Sequence, residues 1–403
     1  MAVWRDVARR YGFVEYDGPP LEPLDLYTRK SGDEIVGQLY NFTDKGGREV
    51  ALRPEMTPTL ARMVAARANA LRKPVRWFSM PQLFRYERQQ RGRLREHWQL
   101  NVDIIGEGDV TADAELLAVS IDIMRGLGLT SSDVAARFSD RRLLNALLSH
   151  AGIPPERNHA VYAVVDKLER EPRPLLEKRL ADAGLDEAAT SRLFEILGRS
   201  DLDALRAQVG SEPALAEHFE RLDRYLTHLE ALGVADWVRF DLSIVRGLAY
   251  YTGIVFELFD ARGQFRAISG GGRYDTLLHS LGNVDLPALG FGMGDVVLAE
   301  LLRDRGLMPS GAPHVDFWVA GEDERLLGEV MRVATALRGR GRSVEYALRP
   351  QTMSRQLKTA ASAGAREAIL ISHGSLEGGM ATVRSLADGT ETTVRIEEWL
   401  AGA

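Results

Sequence analysis

An arginine-rich segment, residues 84–96, has the composition of a phosphate-binding loop. It reads FRYERQQRGRLRE, with five arginines against two glutamates. A guanidinium is planar, always charged and able to bind two oxygens at once, which suits phosphate. Strand-like residues on both sides predict a strand, a basic loop and a second strand, which could fold these guanidinium groups over a triphosphate. The alternative is a solvated basic hairpin tip.

A second polar segment, VRGLAYYTG at residues 245–253, contains Arg246, Tyr250 and Tyr251. A tyrosine offers an apolar body and one hydroxyl, so this combination suits the wall of a polar pocket. Strand signals at residues 237–259 predict that the segment is extended. Adjacent side chains of a strand face opposite sides, so at most one tyrosine would point inward. The alternative is an ordinary core-plus-surface role.

Two shorter motifs add close backbone approach and a carboxylate. Residues 269–275 read SGGGRYD, and three glycines let a backbone approach a ligand closely. Their spacing is not that of a Rossmann or P-loop fingerprint. In the motif at residues 53–57, RPEMT, Glu55 and Thr57 are two residues apart and share one face of an extended chain. The histidines are scattered in helical or loop context, which predicts no metal ligation by protein side chains.

The bulk composition indicates an ordinary globular protein. The chain has 403 residues, 45% of them hydrophobic and 27% charged, with no cysteine and a net charge of -6. Disulfides and Cys-ligated metal sites are therefore excluded. No segment approaches the roughly 20 apolar residues that span a bilayer, and the first helix is amphipathic. We expect a soluble, cytoplasmic protein. An acidic body can still carry a basic nucleic-acid-binding stripe.

The pattern of elements predicts several structural regions. Residues 1–144 and 236–303 mix strands and helices and would form one core, with a hairpin at 39–52 and a helix opening at Thr111. Residues 145–235 are rich in Leu, Ala, Glu and Arg with helical periodicity, which indicates a helical insertion. Residues 304–314 have the composition of a linker. Residues 315–403 alternate strand and helix and would form a small α/β domain.

Taken in their order along the chain, the four motifs resemble those of the histidyl-tRNA synthetase family, a class II aminoacyl-tRNA synthetase family. FRYER…RGRLRE resembles motif 2, and ALGFGMG (288–294) resembles motif 3. LRPEMT, RGLAYYTG and GGGRYD resemble the histidine-binding segments. The resemblance covers essentially the whole chain and implies an α+β fold. We therefore expect a class II antiparallel sheet flanked by helices, a helical insertion, and a C-terminal α/β anticodon-binding-like domain.

The resemblance also implies roles for residues around ATP. Arg85 matches the motif 2 arginine on the α-phosphate and the substrate carboxylate. Glu87 matches a residue near the adenine, and Arg93 a loop arginine on the outer phosphates. Arg246 matches the histidine-specific arginine that acts at the α-phosphate as a metal does in related enzymes. Arg85 and Arg246 are thus the expected catalytic residues, with ATP as co-substrate and Mg²⁺ bound with its phosphates.

The resemblance further implies a pocket for free histidine. Glu55, Thr57 and Gln99 match positions that hold the substrate ammonium. Asp103 and Tyr251 match the pair that contacts the imidazole nitrogens, and Tyr274 closes the pocket. The full expected set of histidine-binding residues is Glu55, Thr57, Gln99, Asp103, Arg246, Tyr250, Tyr251 and Tyr274. A site that pairs both ring nitrogens rejects analogues lacking them.

The function implied is histidine–tRNA ligase, with L-histidine, ATP and tRNA(His) as partners and a homodimer formed through residues 13–25. Three departures from the family pattern stand out. Val297 occupies the place of the motif 3 arginine on the γ-phosphate, a loss of about 1.5–3 kcal/mol unless Arg91, Arg93 or Arg95 compensates. Ala249 replaces an aspartate in the RGLDYYTG pattern. The chain also begins inside the family's first helix.

Two other functions are compatible with these departures. The first is the histidine-sensing regulatory subunit of ATP phosphoribosyltransferase, which shares the catalytic fold. An altered motif 3 favours it, whereas the apparent anticodon-binding domain and the full motif 2 loop count against it. The second is a synthetase paralogue that activates histidine for an acceptor other than tRNA.

Overall fold

The structure is a computed structural model. It describes residues 1–28, 36–87, 92, 94–168, 171–198, 201–210, 212–245, 250–308 and 315–402. The chain divides into two compact units, Met1–Met308 and Pro309–Ala403. Across the described residues, no helix combines the length and the apolar character needed to cross a bilayer.

A small antiparallel sheet lies near the beginning of the first unit. Its order is β2-β4-β3. Strand β3 (Tyr40–Thr43) pairs with β4 (Glu49–Leu52) as the predicted hairpin, and β2 (Leu21–Pro23) covers the other edge of β4. The helices around it are α1 (Ala2–Arg10), α2 (Asp25–Thr28) and α3 (Thr57–Ala65).

The first unit is built around a nine-stranded sheet. Its order is β1-β5-β7-β12-β11-β10-β8-β9, with β6 paired to the end of β7. The strands are β1 (Val14–Glu15), β5 (Val75–Ser79), β6 (Gln82–Phe84), β7 (Glu96–Ile105), β8 (Val134–Asp140), β9 (Val238–Phe240), β10 (Ile254–Asp260), β11 (Ser269–Arg273) and β12 (Ala288–Gly294). All pairs are antiparallel except β1–β5 and β8–β9. The expected antiparallel sheet is confirmed.

One long helix covers the centre of this sheet. Helix α4 (Val110–Gly126) is apolar around most of its circumference, and twelve of its residues are buried. It contacts β7, β11 and β12, the strands that carry the candidate site on their other face. The helix begins one residue before the predicted Thr111, because the Asp109 carboxylate caps it by accepting the Thr111 backbone N–H at 3.0 Å.

The predicted insertion is helical. Its elements are α5 (Arg141–His150), α6 (Asn158–Val165), α7 (Arg173–Asp182), α8 (Glu187–Leu197), α9 (Leu202–Val209) and α10 (Pro213–Ala231). Helix α5 follows β8 directly, with Asp140 as its N-cap, so the first helical turn begins before the predicted boundary at 145. Helix α10 packs on α4. The last helices of the unit are α11 (Leu277–Gly282) and α12 (Asp295–Asp304).

The second unit is a small α/β domain. Its sheet has the order β14-β13-β15-β16-β17, with parallel pairing around β13 and an antiparallel end. The strands are β13 (Phe317–Gly321), β14 (Val344–Tyr346), β15 (Glu367–Ile371), β16 (Met380–Ser385) and β17 (Glu391–Arg395). The helices are α13 (Leu327–Arg338), α14 (Met353–Ser362), α15 (His373–Glu377) and α16 (Ile396–Gly402).

Candidate functional site

A cavity of about 440 Å³ lies in the first unit and collects most of the predicted site residues. Eight of them line it, although they come from segments up to 219 residues apart in the chain: Glu55, Thr57, Arg85, Glu87, Gln99, Tyr250, Tyr251 and Tyr274. Arg93 and Arg246 lie outside the residues that the structure describes. Asp103 is buried beside the wall rather than in it.

Part of the cavity floor is formed by three glycines of strand β12. Gly290, Gly292 and Gly294 occupy alternate positions of β12 and line the cavity, whereas Leu289, Phe291 and Met293 are buried in the core, and Phe291 also borders the cavity. A Cβ atom on Gly290 would lie 1.9 Å from Asp103 Oδ1, and one on Gly292 would lie 2.3 Å from Gln99 Nε2. The glycines therefore make room for the polar side chains of the neighbouring strand.

Strand β7 supplies that row of polar side chains. His97, Gln99 and Asn101 line the cavity at alternate positions, and Gln99 Nε2 donates a hydrogen bond to Asn101 Oδ1 at 2.9 Å. Burial, followed by the nearby charge of Arg85, lowers the pKa of His97 to about 4. His97 is therefore an uncharged imidazole at neutral pH.

Asp103, next in this row, is a buried carboxyl that contacts two wall residues. It lies opposite Gly290 in the β7–β12 register, and its Oδ1 accepts a hydrogen bond from the Tyr274 hydroxyl at 2.5 Å. Its Oδ2 atom is buried and has no hydrogen-bond partner within the described part of the chain. Burial raises the pKa of Asp103 to about 7, although the Tyr274 hydrogen bond opposes that shift. An unsatisfied buried carboxylate oxygen beside a cavity suits a ligand N–H.

Both tyrosines of the YYTG motif line the cavity, contrary to the expectation that at most one would face inward. The strand begins only at Ile254, so Tyr250 and Tyr251 precede it and are not bound by strand alternation. Their rings lie 5.1 Å apart, and the Tyr250 hydroxyl donates to Glu55 Oε2 at 3.1 Å. Tyr250 also contacts the Tyr274 ring edge-on at 5.9 Å.

Arg85 is fixed in the cavity wall by the segment that carries Glu55. Its Nε donates to the Pro54 carbonyl at 2.9 Å, and its backbone N–H donates to the Arg95 carbonyl at 2.9 Å. Arg95 itself stacks over the Tyr86 ring at 4.5 Å and does not line the cavity. Arg85 is thus held in place, while Arg95 is not placed to replace the motif 3 arginine.

The segment leading to Arg246 is anchored by buried groups of the insertion boundary. Arg141 Nε donates to the Val245 carbonyl at 3.0 Å, and the Ser139 hydroxyl donates to the Ile244 carbonyl. The Arg141 guanidinium also lies 4.1 Å from the centre of the Tyr162 ring. These contacts fix the chain up to Val245, one residue before Arg246.

Sequence comparison places this site in a known family. The family profile "Histidyl-tRNA synthetase" matches residues 2–295, and the profile "Anticodon binding domain" matches residues 314–402. Histidine–tRNA ligase of Opitutus terrae is 44% identical over 98% of this chain and 91% of its own length. The chloroplastic/mitochondrial histidine–tRNA ligase of Arabidopsis thaliana is 42% identical over 98% of this chain and 81% of its own length.

The chain belongs to the histidyl-tRNA synthetase family.

Solved structures of histidyl-tRNA synthetases share the fold. The structure of histidyl-tRNA synthetase from Nostoc sp. PCC 7120 superimposes with a TM-score of 0.84, covering 100% of this chain and 94% of that one at 21% identity. A protein from Bacillus halodurans, described as an ATP phosphoribosyltransferase regulatory subunit/histidyl-tRNA synthetase, gives a TM-score of 0.74 at 23% identity and 92% coverage of both chains. These likenesses establish the class II fold.

The cavity also contains residues that the motifs did not indicate. The polar and charged ones are Gln38, His97, Asn101, Asp166, Glu257 and Arg266. Strand alternation from Gln99 could have indicated His97 and Asn101. Asp166, Glu257 and Arg266 could not be found this way, because they lie after the end of helix α6, in β10 and in the β10–β11 loop. Val297 also lines the cavity, so the departure in motif 3 lies within the site.

Proposed function

We propose that this chain activates L-histidine with ATP and transfers it to tRNA(His). The main support is that Arg85, Glu55 and the three tyrosines line one cavity in a chain of this family. A histidine carboxylate oxygen would attack the α-phosphorus of ATP, and the bond to pyrophosphate would break, leaving histidyl-adenylate. The terminal ribose hydroxyl of the tRNA would then attack the acyl carbon and release AMP. The protein's contribution is positioning and charge stabilisation.

The described residues support a division of the cavity between substrates. Arg85 would bind the α-phosphate and the histidine carboxylate, with Glu87 beside the adenine. Arg93 and Arg246 are proposed to join them on the phosphates. Mg²⁺ would enter with ATP and neutralise phosphate charge, and the Glu257 carboxylate in the cavity wall is of the type that Mg²⁺ prefers.

The histidine end of the cavity would be the side with Glu55, Tyr250 and Tyr274. Glu55, Thr57 and Gln99 would hold the ammonium group. Asp103 and Tyr251 would contact the two imidazole nitrogens. The Oδ2 atom of Asp103, which has no hydrogen-bond partner among the residues described, supports this assignment.

We further propose a cytoplasmic homodimer formed through residues 13–25, as the class II resemblance implies, and tRNA binding by residues 315–403. The match of residues 314–402 to an anticodon-binding profile supports the tRNA partner. Sedimentation of the purified chain would test the dimer.

The proposed function predicts histidine-dependent exchange of labelled pyrophosphate into ATP, followed by charging of tRNA(His). Assaying exchange with each of the twenty amino acids tests the first step, and acid-stable attachment of labelled histidine to tRNA tests the second. Histidine binding without exchange would overturn the proposal in favour of a regulatory subunit. Exchange without charging would indicate a synthetase paralogue with another acceptor.

Replacing Asp103 with asparagine is expected to raise the half-saturating histidine concentration about 10- to 150-fold, because a charged hydrogen bond of about 1.5–3 kcal/mol is lost. The side chain keeps its size, so ATP saturation should not change. The pKa of Asp103 is raised to about 7 in the empty site, so the carboxyl is protonated below that pH. Histidine saturation of the natural chain should therefore weaken as pH falls through 7, whereas the asparagine variant should keep only the pH dependence of the substrate's own imidazole, whose pKa is about 6.5.

Pyrophosphate exchange at varied histidine and pH measures both effects. Asp44→Asn is a matched control, since Asp44 lies at an exposed hairpin turn and pairs with Arg48. Unchanged histidine saturation in Asp103→Asn would contradict the imidazole role.

A further inference from the structure

The loop between β10 and β11 is held firmly beside the cavity. Asp260 at the end of β10 accepts backbone N–H groups from Arg262 at 3.2 Å and from Gln264 at 2.9 Å. At the other end, the Ile268 N–H donates to the Leu258 carbonyl at 2.8 Å. The Asp260 carboxylate is also paired with Arg305. The loop is therefore positioned by bonds at both ends.

Arg266 lies in this loop and lines the cavity. Arg266 and Val297 both lie close to Gly92. A Cβ atom added to Gly92 would lie 3.5 Å from Val297 Cγ2 and 3.9 Å from Arg266 Cδ. Gly92 belongs to the arginine-rich loop. Arg266 thus stands next to the valine that occupies the motif 3 arginine position.

The described part of the cavity wall is acidic, so a triphosphate would need cationic side chains such as Arg266 in order to bind there. Among the described lining residues, four are carboxylates, namely Glu55, Glu87, Asp166 and Glu257, and the two arginines are Arg85 and Arg266. The triphosphate of ATP is strongly negative and would lie against this acidic wall. Arginine binds phosphate oxygens through two parallel N–H groups, which a valine cannot do.

We infer that Arg266 binds the outer phosphates of ATP, supplying from the β10–β11 loop the guanidinium that Val297 does not. This inference rests on the proposed function for its reaction, whereas the contact itself is a property of nucleotide binding. Arg266, in the β10–β11 loop, would thus compensate for the arginine that is missing from motif 3.

Arg266→Ala is expected to raise the half-saturating ATP concentration in pyrophosphate exchange about tenfold, the equivalent of one charged hydrogen-bonded contact. Histidine saturation should stay as it is. Arg266→Lys should recover part of the loss, since the charge is kept without the planar fork. Arg262→Ala is the matched control: Arg262 lies in the same loop, pairs with Asp304 at 3.7 Å and does not line the cavity.

A relocated arginine provides the stricter test. The double variant Arg266→Ala with Val297→Arg places a guanidinium in the same region, now from α12, the helix that follows β12. Its half-saturating ATP concentration should return towards that of the natural chain. Val297→Arg alone controls for overpacking of the cavity.

Equilibrium binding of ATP and of AMP separates this inference from the proposed reaction. Arg266→Ala should weaken ATP binding about tenfold and leave AMP binding unchanged, even if the natural chain shows no exchange. Equal weakening of ATP and AMP, or ATP saturation unaffected by Arg266→Ala, would overturn the inference.

Discussion

Replacing Arg85 with alanine is expected to slow histidine-dependent pyrophosphate exchange about 100- to 1,000-fold, the range found when one preorganised donor is removed from a developing oxyanion. Arg85 is oriented by the Pro54 carbonyl at 2.9 Å, within the segment that also carries Glu55. The guanidinium is therefore in place before ATP and histidine arrive. The rate of pyrophosphate exchange should fall by a larger factor than the affinity for ATP, because charge at the α-phosphorus develops in the transition state.

Arg85→Lys keeps the charge but loses the fork and the bond to Pro54, so most of the loss should persist. Arg48→Ala is the matched control, because Arg48 is an exposed arginine paired with Asp44 at the β3–β4 turn.

His97 gives an independent readout. Its pKa is lowered by burial first and by Arg85 second, so the pKa should rise in Arg85→Ala when followed by proton NMR. Exchange that survives Arg85→Ala within tenfold would remove Arg85 from the catalytic step.

The family resemblance was sufficient to predict eight of the residues that line the cavity, but not the whole polar lining. Strand pairing brings β7, β11 and β12 side by side, and residues more than 200 positions apart therefore line one cavity. The alternation of glycine and apolar residues in ALGFGMG carried more information than its likeness to motif 3. Glycines at every second position leave one face of a strand bare, and here that face is part of the cavity floor.

Other features depend on register and loop geometry that no local pattern encodes. The YYTG tyrosines point to one cavity because β10 starts only after them, and the boundary of a strand is weakly specified by sequence. Arg266 reaches the site because Asp260 caps its loop. Neither feature produces a recognisable spacing of residues in the sequence. The role that we propose for Arg266 therefore could not be predicted from the arginine-rich loop.

Arg273, in the middle of the GGGRYD motif, was grouped with a ligand-binding segment, but the structure gives it a different position. Its guanidinium is buried against Asp113 of α4, with Nε 3.1 Å from both carboxylate oxygens. It also donates to the Glu107 carbonyl at 3.0 Å and to the Asp109 carbonyl at 3.2 Å. The arginine therefore joins the end of β11 to the beginning of the helix behind the sheet.

Arg273→Met is consequently expected to lower the free energy of unfolding by about 3–5 kcal/mol, because it leaves a carboxylate buried without its counter-ion. Chemical denaturation of the full chain measures this. Arg10→Met is the matched control: Arg10 forms an exposed pair with Asp6, for which we expect a change of about 0.5 kcal/mol or less. The double variant Arg273→Met with Asp113→Leu should recover much of the loss, since it removes the stranded charge as well.

The pH dependence distinguishes this loss of a counter-ion from a simple packing defect. Burial raises the pKa of Asp113 to about 6 even with Arg273 present. A carboxyl with a raised pKa in the folded chain stabilises the fold below its unfolded pKa, near 3.9, and this contribution is lost as pH rises through the folded pKa. In the natural chain that loss ends near pH 6. Without Arg273 the pKa of Asp113 rises further, so the variant should continue to lose stability above pH 6, by up to about 1.4 kcal/mol per pH unit. A stability difference between natural chain and variant that is constant from pH 5 to 8 would show that Arg273 acts by packing and not by pairing with Asp113.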